Sequence, residues 1–191
     1  MLLLNSSTIR IPSLILATLL FVACGESKVA DDTYNSKTFT PPSHLTFDPE
    51  LKPIMDSYLA DAAAAGVPVP ETTLQEFQGL MWTDKVNVKA AADATILGVC
   101  HRRAGLRYVE ILHPNAEGKV GSTVMDDITL KVMVYHELGH CLHDFSGHTS
   151  GKGAAVMNAY LQPARYFDAE GLLMDHFMML KKMRNDPSFR P

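Results

Sequence analysis

A chain of 191 residues, 47% hydrophobic and 20% charged, is long enough for one domain with a sizeable core and has the composition of an ordinary globular protein. Its formal net charge of -4 offers no basic footprint, which argues against a nucleic-acid partner.

The N-terminus differs from the rest. Arg10 is the only charge before an apolar run from Ile11 to Val22, which has the length of a signal-peptide core and is short for a bilayer span. The run closes on Leu20-Phe21-Val22-Ala23-Cys24-Gly25. This resembles a bacterial lipobox, cut before a cysteine that is then lipidated, with Phe21 in place of the usual aliphatic residue. The alternative is an ordinary secretory signal cut near Ala23; either way the mature protein leaves the cytoplasm. The absence of Asp after Cys24 resembles lipoproteins sorted to an outer membrane, given a Gram-negative source. Glu26 to about Ser43 is polar and poor in large apolar residues, and reads as an unpacked tether.

Asp48-Pro49 predicts a helix start, followed by Leu51, Ile54, Met55, Tyr58, Leu59 and Ala62 at helical spacing, with Gly66 and Pro68 closing it. Thr72 to Trp82 follows neither period. Ala94 to Cys100 and Leu106 to Leu112 read as strands joined by the polar connection His101 to Gly105, with one face of the second strand solvated. After a loop from His113 to Thr123, Asp126 or Asp127 caps a long apolar helix predicted to run to about Asp144. A final helix from about Arg165 to Met183 is expected to turn Phe167, Leu173, Met174, Phe177 and Leu180 inward. Cys100 and Cys141 could pair in an oxidising compartment; independent burial is the expectation.

The apolar helix carries His136-Glu137-Leu138-Gly139-His140, an H-E-x-x-H motif. Side chains four apart share a helix face, so both imidazoles can reach one metal ion while Glu137 stands beside it. Leu130, Val132, Met133, Val134, Tyr135, Leu138 and Leu142 make the helix apolar nearly all round, and buried polar groups need partners. A catalytic zinc takes three protein ligands and keeps one position open. His143 shares the face of His136 but lies roughly 10 Å further along the axis, too far for the same ion. His148, after Gly147, is the expected third ligand; Asp144, Asp168 and Glu170 are the alternatives.

The string from His136 to His148, followed by Val156-Met157-Asn158-Ala159-Tyr160, resembles the metzincin zinc metallopeptidases, bacterial lipoprotein features aside. The resemblance implies an α+β, zincin-like fold: a small twisted sheet packed on an N-terminal helix and the motif helix, with a C-terminal helix. It further implies peptide hydrolysis by a zinc-activated water with Glu137 as general base and then acid, Met157 in a methionine turn under the metal, and an edge strand near Leu106 to Leu112 that pairs with extended peptide. The chain departs from the family in spacing: His148 stands eight residues after His140 rather than six, with His143 at the family's glycine position and Ser146 at its third-ligand position. A helix extended toward Gly147 would absorb the difference. Tyr160 lies one position later than the tyrosine some members use, so it receives no role.

The expected organisation is a signal peptide over 1–23, a lipid-anchored tether over 24–45 and a zinc metallopeptidase domain over 46–191, at the cell envelope, with protein or peptide as substrate. Two other readings stand beside it. One is a non-catalytic envelope lipoprotein with structural zinc or a partner-binding role, its fourth ligand sought at Cys141 or Asp144. The other is a zinc amidohydrolase acting on cell-wall amides.

Overall fold

The computed structural model describes residues 42–86, 96–103, 105–145, 156–157 and 169–185. Among these residues, four helices and two small sheets form an α+β arrangement: α1 (Lys52–Ala64), α2 (Glu71–Glu76), β1 (Phe77–Thr83), β2 (Gly98–Arg103), β3 (Leu106–Leu112), β4 (Lys119–Val120), β5 (Thr123–Val124), α3 (Asp127–Leu142) and α4 (Ala169–Asn185).

Asp48 does not open α1 directly. Its carbonyl accepts from Leu51 and Lys52 and its side chain accepts from Glu50 N, making a turn before the helix begins at Lys52, with Pro53 taking the early position that tolerates a missing N–H. The segment without a clear period divides in two: α2 occupies its first half and β1 its second, so each period covers too few residues to dominate.

The larger sheet has the order β1-β3-β2, with β3 parallel to β1 and antiparallel to β2. Thr46 to Asp48 runs along the outer side of β1, bonded to Leu80 at both its N–H and its carbonyl. Among the described residues, β2 is therefore the sheet's uncovered edge. The strand β3 keeps its expected limits but lies at the centre, which corrects the expectation that it is an edge strand open to peptide. Neither of its faces is solvated: Tyr108, Val109, Glu110 and Ile111 are all buried. Ile96 and Leu97 do not join β2, which instead runs on through His101, Arg102 and Arg103; Ala94 and Thr95 lie outside the described residues. Arg103 pairs with Leu106, and Gly105, next to that pair, takes φ +73, a conformation that an L side chain resists.

The motif helix α3 starts where Asp126 accepts from Thr129 N at 2.8 Å and is buried along most of its length. It packs on the sheet through β2 and β3 and on α1 and α4 through Tyr58, Tyr135 and Phe177, whose rings meet at 5.0–6.1 Å. On α4 the inward residues are Leu173, His176, Phe177 and Leu180. Met174, expected among them, is 61% exposed because it shares the outer stripe with Met178, four residues on.

Three contacts lock β2 to α3 in step. Gly98 lies against Glu137, Cys100 is disulfide-bonded to Cys141, and Arg102 pairs with Asp144. Two residues of strand advance about 6.6 Å and four of helix about 6 Å, so Gly98 and Cys100 meet successive turns of the helix, and Arg102 reaches the turn beyond its end. This match brings the two cysteines together and corrects the expectation of independent burial: their Cα atoms are 5.5 Å apart.

Candidate metal centre

The two motif histidines are oriented from behind by main-chain carbonyls. His140 Nδ1 lies 2.7 Å from the Phe145 carbonyl and His136 Nδ1 lies 2.5 Å from the Val156 carbonyl. A carbonyl can only accept, so each Nδ1 carries a proton, which in the neutral ring leaves the lone pair on Nε2. Those two Nε2 atoms face each other at 3.0 Å. Two lone pairs at that distance repel, and either a proton carried by one Nε2 or a metal cation shared by both relieves it. Two nitrogens on a tetrahedral zinc, at Zn–N of about 2.0–2.1 Å, would sit roughly 3.3 Å apart. The pair therefore fits a zinc ion in donor type, tautomer and spacing, and a histidine backed by a carbonyl is the usual support of a metal ligand.

Glu137 is 2% exposed and His136 3%, whereas His140 is partly exposed, so the pair is reached from the His140 side. Glu137 lies over Gly98 of β2: a Cβ on Gly98 would stand 2.9 Å from Glu137 Cγ and 3.2 Å from its Oε1. Met157 is fully buried beneath the motif, and a Cβ on Gly139 would stand 2.8 Å from its Sδ and 3.1 Å from His176 Cε1. The absent side chain at Gly139 is thus what lets Met157 and α4 approach the helix between its two histidines.

The helix ends earlier than expected. His143 is its cap, Asp144 takes the left-handed conformation at φ 54, and Phe145 N bonds back to the Gly139 carbonyl. The turn is thus made at Asp144, and no extension of the helix toward Gly147 absorbs the two extra residues. Asp144 is held by Arg102 and Arg107, and Arg107 also donates to the Cys141 carbonyl at the helix end. His143 turns to Tyr58 and the Val67 carbonyl rather than toward His136.

His148, Tyr160 and Asp168 lie outside the described residues, as does the side chain of Glu170. Among the described residues, no third His, Cys, Asp or Glu completes a metal-holding group with the pair. Four contributors escaped the reading of the sequence: Gly98, Gly139, Tyr58 and His176. A glycine inside an apolar helix costs about 1 kcal/mol against alanine, so Gly139 was a usable sign of close approach. His176 is 1% exposed, and burial first, then His143 and His140, push it down to about 3, which keeps its ring neutral.

Comparison with protein-family models, with curated protein sequences and with solved structures finds no match to this chain.

Proposed function

We propose that this chain is a zinc-dependent metallopeptidase of metzincin-like architecture, exported and anchored at the bacterial cell envelope by a lipid on Cys24. The observation that carries the reading is the convergence of His136 and His140 Nε2 at 3.0 Å, with each opposite Nδ1–H held on a main-chain carbonyl. His148 is the proposed third ligand. It stands three positions after Phe145, whose carbonyl orients His140, and three residues of chain reach at most about 10 Å. The disulfide supports export, because such bonds persist in oxidising compartments. No helix among the described residues is long and apolar enough to cross a membrane.

A zinc ion, when bound, makes a water acidic near neutral pH and polarises a carbonyl. Glu137 accepts the proton on a carboxylate oxygen and returns it to the leaving amine, acting as base and then acid. An extended peptide paired through its main chain with the β2 edge would run past Glu137 at Gly98, with affinity that depends little on its side chains.

A structural zinc site would need a fourth protein ligand. The two candidates that the sequence offers are engaged elsewhere, Cys141 in the disulfide and Asp144 with two arginines. The deciding assay is cleavage of an unstructured protein substrate by wild type and by Glu137→Gln. The variant should keep its zinc and lose at least about a hundredfold in rate. Cleavage at the wild-type rate by Glu137→Gln would overturn the proposal; activity on cell-wall amides with none on peptides would move it to the amidohydrolase reading.

A further inference from the structure

The imidazole of His143 is fixed at both nitrogens. Its Nε2 lies 2.9 Å from the Val67 carbonyl and its Nδ1 2.7 Å from the Tyr58 hydroxyl. The carbonyl accepts, so Nε2 carries the proton and Nδ1 accepts from the tyrosine. Burial, with Tyr135 adding to it, pushes the Tyr58 phenol well above its ordinary range, so the hydroxyl keeps its proton to donate. The same oxygen lies 3.4 Å from His176 Nε2. Tyr58 is wholly buried, packed against Tyr135 and Phe177 at 5.0 and 5.3 Å. Helices α1, α3 and α4 thus meet in a buried polar chain behind the motif.

What this chain holds is the end of α3. The residue after His143 makes the left-handed turn, and the one after that supplies the carbonyl on His140 Nδ1. A displaced His143 would carry the Phe145 carbonyl with it and release the ring from its orientation.

We infer that Tyr58 and His143 are positioning residues for His140, fixing the helix end so that the Phe145 carbonyl aims the imidazole at its partner. The inference rests on the metal-site reading above. The full-length chain and its Tyr58→Phe, His143→Phe and double variants are titrated with zinc against a chromophoric chelator, and the cobalt-substituted proteins are compared by visible absorption. Each single variant is expected to bind zinc about tenfold more weakly and to show altered cobalt bands. The double variant should be no more than about twofold weaker than the worse single one, since His143→Phe already removes the Tyr58–His143 bond that Tyr58→Phe breaks. Folded variants with wild-type zinc affinity and cobalt spectra overturn the inference, as do losses that multiply in the double variant. Tyr58→Phe, which keeps the ring in its packing, decides alone if His143→Phe does not fold. Wild-type protein that binds no zinc overturns the metal reading itself, a result distinct from unaffected variants of a zinc-binding wild type.

Discussion

Gly98 and Glu137 are in direct contact across the junction of β2 and α3, so close that a methyl group on the glycine would stand 2.9 Å from Glu137 Cγ and 3.0 Å from Ile111 Cδ1. The carboxylate's position depends on what the strand lacks. Gly98→Ala should therefore displace Glu137 at an overpacking cost of about 1–3 kcal/mol. Peptide cleavage should fall at least about tenfold while zinc content stays at the wild-type level, since the three atoms nearest the added methyl belong to Glu137 and Ile111 and not to a histidine. Equal loss of zinc and activity would show that the glycine serves the whole helix rather than the base.

The Cys100–Cys141 disulfide closes a separation of 41 residues. Loop-closure entropy gives it a stabilising contribution of about 4 kcal/mol. Replacing both cysteines by serine should lower unfolding free energy in urea by that order and speed amide exchange along β2, whose hold on the motif helix is then Gly98–Glu137 packing and the Arg102–Asp144 pair. A loss below about 1 kcal/mol would mean that these contacts suffice.

His176 predicts a pH dependence. Its folded-state value of about 3 lies below the ordinary 6.5, so the unfolded chain binds a proton that the folded chain does not. The stability of the metal-free protein should hold above about pH 6.5 and decline as pH falls toward 3, by up to about 1.4 kcal/mol per unit from this group. Urea denaturation at several pH values should show a shallower decline for His176→Leu, by the equivalent of about one proton. Identical slopes would contradict the neutral, buried ring.

The motif helix and β3 were legible because each carries its signal within itself: an Asp126 cap before a continuous apolar run, and β-branched and aromatic residues bounded by glycine and proline. What failed to show depended on partners remote in the sequence. His101, Arg102 and Arg103 look like a polar loop, yet His101 pairs with Glu110 at 2.8 Å in the interior and Arg102 reaches Asp144, which lets them continue β2. The disulfide follows from the matched advance of strand and helix, a property of their docking. The helix end follows from a left-handed aspartate where no glycine marks a stop. The two motif histidines and Glu137 could be named from spacing alone, but the carbonyls that set the histidine tautomers come from Phe145 and Val156, residues without chemical signature.

The proposed ligand pair is open to the most direct test: the zinc content of the purified protein after dialysis, compared with His136→Ala and His140→Ala. About one zinc per chain is expected for wild type and essentially none for either variant, because removing one imidazole leaves too few donors for a stable site. Wild-type protein that retains no zinc under conditions where it is folded, or a His140→Ala variant that holds zinc as tightly as wild type, would contradict it.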